Sequence, residues 1–132
     1  MYLVDTSVWI DYLRQIDNEA TQQFTSILAN GYPYGITGVI YQEILQGANT
    51  VRDFDRIDQY LITQRFYQPA DAPVSYREAA GLFFRCRRED VTIRSTIDCL
   101  IAQIAIEHEL LLLHNDRDFD RMASVVPQLR LA

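Results

Sequence analysis

Apolar residues in this chain fall into short continuous runs separated by longer stretches in which they recur every three or four positions, the pattern of strands alternating with amphipathic helices. Tyr2-Leu3-Val4 reads as a strand ending at Asp5, and Thr6 or Ser7 is placed to cap a helix through Val8 to Leu13. Asn18 to Leu28 reads as a helix stopped by Asn30-Gly31, and Tyr34 to Thr37 as a second strand. Val39 to Gln46 is a helix ended by Gly47, Val51 to Leu61 a polar helix, and Arg65-Phe66-Tyr67 a short strand. Pro69 and Pro73 mark the entry to a helix from Val74 to Arg88, whose closing Arg85, Arg87 and Arg88 suit the negative end of its dipole.

Glu89 to Arg94 reads as a turn or loop, and Ser95 opens the clearest helix, with Ile97, Ile101, Ile104, Ala105 and His108 on one stripe. Leu110 to Leu113 is too short for a helix and suits a strand buried on both faces. A short helix from Asp118 to Ala123 and a terminal edge strand at Leu129-Arg130-Leu131 complete the pattern. The alternation predicts an α/β domain with a parallel sheet covered by helices, and 132 residues suit one domain spanning 1–132.

Composition narrows the classes. A hydrophobic content of 48% excludes a disordered chain, and no apolar run approaches the roughly 20 residues of a bilayer span. Asp5 stands where a signal peptide would be basic and then apolar, so a soluble, cytoplasmic protein is expected. The net charge of −6 argues against a binder held passively to nucleic acid by a basic surface. All twelve basic residues are arginine, which suits bidentate carboxylate or phosphate contacts. Cys86 and Cys99 lack metal-ligand spacing and read as buried thiols.

In an open parallel sheet, ligands bind beyond the carboxyl ends of the strands. Asp5 and Asp116 each follow a strand, Glu43 lies in a mostly apolar helix, and Asp98 stands in the first turn of the most hydrophobic helix. Four carboxylates in one crevice could not all stay ionised without a cation, and oxygen ligands of this kind select magnesium or manganese. Each acid also has a structural explanation. Asp98 stands three after Ser95, as in a capping box, and Asp5 could cap a helix. Glu43 could pair with an arginine on a helix surface, while Asp116, Asp118 and Asp120 could form a solvated turn and helix start. Capping requires none of them to converge, so their placement on four separate elements favours a site.

The opening Leu3-Val4-Asp5-Thr6-Ser7-Val8-Trp9-Ile10, the Glu43 helix, Thr96-Ile97-Asp98-Cys99-Leu100-Ile101-Ala102 and the closing Leu111 to Asp120 together resemble PIN-domain ribonucleases, specifically the VapC toxins of toxin–antitoxin pairs. The resemblance implies a three-layer α/β/α fold around a short, mainly parallel sheet and magnesium- or manganese-dependent cleavage of RNA. It places Asp5, Glu43, Asp98 and Asp116 at the four acidic positions, with the hydroxyl of Thr6 or Ser7 beside the first. Asp118 is an additional acid beside the shell, and His114 stands where the family usually has threonine. It also implies a cognate antitoxin that inserts a basic or aromatic segment into the acidic site, and homodimerisation through apolar helix faces.

Asp5 and Asp98 are then the expected principal metal ligands, with Glu43 and Asp116 completing the shell through waters or a second ion and a metal-activated water attacking the phosphate in line. Glu43 or Asp116 would orient or deprotonate that water. Arg94 and Arg117 are placed to hold RNA, with Arg85, Arg87 and Arg88 as further contributors. His108 is expected in the core, His114 either beside the site or structural, and Trp9 packed rather than stacked on a base. The rival readings are a non-catalytic protein of the same fold that binds an arginine-rich partner and a small phosphatase. A phosphatase of this kind would want a second aspartate where Ser7 stands.

Overall fold

The computed structural model describes residues 1–132. Leu3 and Val4 have no exposed surface, so Tyr2–Val4 (β1) is a strand buried on both faces and takes the middle of the sheet. On one side it pairs with Tyr34–Thr37 (β2), which in turn pairs with Phe66–Tyr67 (β3). On the other it pairs with Leu111–Leu113 (β4), followed by Arg130–Leu131 (β5). All four pairings are parallel, in the order β3-β2-β1-β4-β5.

Seven helices connect the strands: α1 Thr6–Leu13, α2 Glu19–Ala29, α3 Gly38–Gln46, α4 Val51–Leu61, α5 Ala72–Arg88, α6 Thr96–Glu107 and α7 Arg117–Val125. The chain steps outward from β1 to β3, then returns to β4 on the opposite side of β1 and steps outward again to β5. Right-handed crossovers in these two opposite directions put α1–α4 on one face and α5–α7 on the other, which makes three layers. The packing agrees: α1 touches α2 and α3, whereas α5 touches α6 and α7. The strand order reverses between β1 and β4, and this switch point is where an open α/β sheet leaves a crevice at its carboxyl end.

Local chemistry decides several boundaries. The cap of α1 is Asp5 rather than Thr6 or Ser7, so the helix starts earlier than the hydrophobic spacing predicts. Ser95 precedes α6 but makes no side-chain cap bond, so the predicted capping box with Asp98 does not form. The single stripe expected on α6 is also replaced. Every residue from Cys99 to Ala105 is buried, while Ile97 and His108 at the two ends are not, because α6 lies packed between the sheet and α5. Gly35 is required where β2 meets β3, since a Cβ there would stand 2.5 Å from the Arg65 carbonyl oxygen. Trp9 packs edge-on to Phe24 with ring centroids 4.9 Å apart, as expected of a core residue, and Cys86 and Cys99 are buried free thiols. No helix is long and apolar enough to cross a membrane.

Candidate functional site

The first turn of α1 organises one side of the crevice. Asp5 is 5% exposed and its Oδ2 accepts from the Ser7 backbone N–H at 3.0 Å and from Ser7 Oγ at 2.6 Å. The Asp5 N–H donates to the Leu113 carbonyl at 2.9 Å, and the Asn115 N–H donates to Ser7 Oγ at 2.9 Å, so the ends of β1 and β4 are held together. Thr6 Oγ1 donates to Glu43 Oε1 at 2.8 Å and ties α3 to the same turn. Thr6 and Ser7, between which the sequence leaves the choice open, therefore each hold a different acid. Burial pushes the Asp5 and Glu43 carboxyls above their ordinary values against these lowering hydrogen bonds.

Asp98 enters from the first turn of α6. Its carboxyl is pushed up to about 7, first by burial and then by the charges of Asp5, Asp116, Glu43 and Asp118. The charges of three of the four acids expected from the sequence thus act on Asp98 across the crevice, although two of the four lie within helices (Glu43 in α3, Asp98 in α6) and two cap others (Asp5 on α1, Asp116 on α7).

Asp116 closes the other side as the cap of α7, its Oδ1 accepting from the Asp118 N–H at 3.0 Å. His114 shapes this turn: Nδ1 accepts from the Asp116 N–H at 3.1 Å, and Nε2 lies 3.4 Å from Asp120 Oδ1. Asp118 is 1% exposed and faces arginines rather than the crevice. Its Oδ2 accepts from both the backbone N–H and Nε of Arg94 at 3.1 Å, and its Oδ1 lies 3.6 Å from Arg121 Nη1. Burial alone would raise the Asp118 carboxyl, but the Arg94 hydrogen bonds and the two guanidinium charges hold it below the ordinary value. Arg94, thus anchored, lies largely in solvent with Nη2 3.4 Å from Asp116 Oδ1. Arg117 is exposed and lines a polar pocket of about 360 Å³ beside Asp116, together with Gln23 and Asn115.

Two supporting residues, Asp11 and Asn115, escape the sequence reading. Asp11 Oδ2 accepts from Asn115 Nδ2 at 2.9 Å and from Asn18 Nδ2 at 3.0 Å, bracing the β4 end against α1 and the start of α2. Their only sequence signal is polarity beside an acidic segment. His108 is not the core residue expected. It is half-buried at the far end of α6, with Nε2 2.7 Å from the Gln68 carbonyl and its ring 5.2 Å from that of Tyr67.

No three His, Cys, Asp or Glu side chains lie close enough together to hold an ion as they stand. The donor chemistry nevertheless suits a hard divalent cation: the donors on offer are carboxylate oxygens, and the Asp98 carboxyl is raised by burial and then by neighbouring negative charge, which a cation would offset. Thr6→Val removes one anchor while leaving shape nearly constant. It is expected to raise the Glu43 carboxyl further and to lower any hydrolytic rate about three- to tenfold with little change in melting temperature. Parallel turnover and thermal-unfolding measurements on the purified variant check this.

A family model described as PIN domain matches residues 2–125. The VapC ribonuclease of Mycobacterium bovis and ribonuclease VapC11 of Mycobacterium tuberculosis are each 34% identical over 129 residues, covering 95% of this chain and 93% of the relative. Among solved structures, VapBC2 from Rickettsia felis, bound to a promoter DNA fragment, matches with a TM-score of 0.75 at 17% identity, covering 99% of this chain and 96% of that one. A toxin–antitoxin complex from Klebsiella pneumoniae matches with a TM-score of 0.63 at 18% identity, covering 97% and 94%.

Proposed function

Because this chain belongs to the PIN-domain family and, within it, to the VapC ribonucleases, we propose that it is a metal-dependent endoribonuclease and the toxin of a toxin–antitoxin pair, with Asp5, Glu43, Asp98 and Asp116 as its site. The observation that carries this reading is that these acids flank the β1/β4 switch point from four separate elements, with the charges of the other three acting on Asp98.

Asp5 and Asp98 would hold magnesium or manganese, with Glu43 and Asp116 completing the shell through waters. Bound there, the cation would supply Lewis-acid polarisation of the scissile phosphate and a lowered pKa for a coordinated water. The chain's own part is positioning and proton handling. Thr6 occupies Glu43 Oε1, which leaves Oε2 free to take a proton from the attacking water, and the raised Glu43 carboxyl is the better base for it. Asp116 is engaged by the α7 N-terminus and Arg94, and so serves as a ligand rather than a base. Ser7 fixes the Asp5 carboxylate, and Arg94, anchored by Asp118, presents its free N–H edge to the RNA backbone with Arg117.

The names of the relatives and neighbours point to an antitoxin partner, and the acidic crevice suits a basic or aromatic segment from it. The homodimer would use exposed apolar side chains such as Tyr76 on α5 and Ile97 on α6. A structured RNA such as tRNA or rRNA is the proposed substrate, and the cytoplasm the proposed location.

Total RNA, tRNA included, incubated with the purified chain in magnesium, manganese or EDTA tests the reading. Cleavage that requires the cation and disappears in Asp98→Asn supports it. Intact RNA in all three conditions, from folded protein, moves the assignment to a non-catalytic partner-binding role.

A further inference from the structure

The carboxyl end of α5 carries three cations within four residues, Arg85, Arg87 and Arg88, on a chain whose net charge is −6. Dipole complementarity accounts for some of this charge but not for what surrounds it. Phe84 is 50% exposed on the outer side of the helix, with the Arg87 and Arg88 guanidinium carbons 5.9 and 5.8 Å from its ring centroid. Beside it an open pocket of about 420 Å³ is lined by Phe84, Arg85, Arg88, Glu89, Ser124 and Val125. Arg85 is held in place across this pocket by its Nη2 hydrogen bond to the Val125 carbonyl at 3.3 Å.

This end of α5 is connected to the acidic crevice. α5 and α6 are adjacent helices joined by residues 89–95, so the end of one lies near the start of the other, where Asp98 stands. Along α7, Asp118, Arg121 and Val125 share one face. Arg94 is bound at the first of these positions and Arg85 at the last, with Arg121 between them, a track of about 10 Å along the helix axis. Arginines spaced along a path that ends at an exposed aromatic ring and an open pocket are the parts of a single-strand site. The guanidinium groups follow the phosphates and the ring carries a base.

We propose that the end of α5 is a second RNA subsite, in which Arg85 and Arg88 bind phosphates of a single-stranded segment leaving the acidic centre and Phe84 stacks one of its bases. The proposal rests on the ribonuclease reading. Glu89 at the rim opposes every anion alike, so stacking on the exposed Phe84 ring is the contact that distinguishes a nucleic-acid strand from an acidic peptide.

The test is fluorescence anisotropy of a fluorescein-labelled twelve-nucleotide single-stranded RNA of mixed sequence, titrated in EDTA with the full chain carrying Asp98→Asn. Phe84→Ala in this background is expected to weaken binding about fivefold or more without changing the salt dependence. Arg88→Ala is expected to weaken binding and to flatten the slope of log K against log salt by about 0.7. Arg52→Ala, an exposed arginine on α4, is the control for net charge. Affinities for Phe84→Ala and Arg88→Ala equal to that of Arg52→Ala overturn the subsite while wild-type cleavage leaves the ribonuclease reading standing. A parent that does not bind this RNA, together with a wild type that leaves the total pool intact in magnesium and manganese, overturns both.

Discussion

Asp98→Asn is expected to reduce cation-dependent RNA cleavage at least about 100-fold and, in EDTA at pH 8, to melt several degrees above the wild type. The two effects have one cause. Burial and the charges of Asp5, Asp116, Glu43 and Asp118 place the folded-state Asp98 carboxyl at about 7, against 3.8 for the ordinary group. A carboxyl raised in the folded state opposes folding once it ionises. The penalty is absent below about pH 4, grows as the pH rises towards 7 and is complete above it. The full difference would set an upper limit of about 4 kcal/mol, and solvent screening at a half-exposed side chain reduces this to about 1–2 kcal/mol.

Asparagine keeps the shape and removes the charge, so the variant should lose its advantage at pH 4 and below. Added magnesium or manganese should stabilise the wild type, because ligand binding to the folded state shifts unfolding, and should leave Asp98→Asn nearly unmoved. Thermal unfolding at pH 4 and 8, with EDTA or cation, reads all four states. A variant less stable than wild type at pH 8 in EDTA would falsify the reading of Asp98 as a member of a mutually repelling acidic set.

Asp118→Ala should produce the largest loss of stability, about 3–4 kcal/mol in denaturant unfolding at pH 7. The carboxylate is buried and accepts from the backbone and side chain of Arg94 while facing Arg121, so its removal leaves the Arg94 N–H unpaired and the loop before α6 untied from α7. Arg94 itself is largely in solvent and loses only its orientation. The pH dependence has the opposite sign from that of Asp98. The Asp118 value lies below 3.8 in the folded state, so its contribution is present above about pH 4 and is lost as the pH falls through the lowered value. Asp118→Asn keeps one acceptor and should lose about half as much. A loss below about 1 kcal/mol for alanine would mean that Arg94 and Arg121 are held by something else.

Much of this architecture is legible along the chain because strands and helices bury one face or both, and burial leaves a period. Tyr34 to Thr37 is found where the Asn30-Gly31 helix stop places it, and Leu111–Leu113 is an apolar run too short for a helix. The period misleads where the environment is not one-sided. α6 is apolar on nearly every side between Cys99 and Ala105, so its stripe carries no direction and assigns His108 to a core from which it projects. Whether Asp5 is a cap or a site acid has no answer in the sequence, because one carboxylate caps α1 and its charge also acts on Asp98. For Asp98 the cap reading fails, since Ser95 makes no such bond.

By itself, the sequence determined that the chain forms a parallel α/β domain, which acids stand at the ends of its elements, and that every basic side chain charged at neutral pH is one of its twelve arginines. These follow from periodicity, cap chemistry and residue type, all short-range in the chain. The tertiary structure alone decided which groups hold the acids in place. Thr6 reaches Glu43 across 37 positions, Asn115 reaches Ser7 across 108, and Arg94 meets Asp118 across 24. The physical reason is that a hydrogen bond or ion pair requires partners within about 3–4 Å, a distance set by how the sheet and helices close in space and carrying no signature in sequence separation.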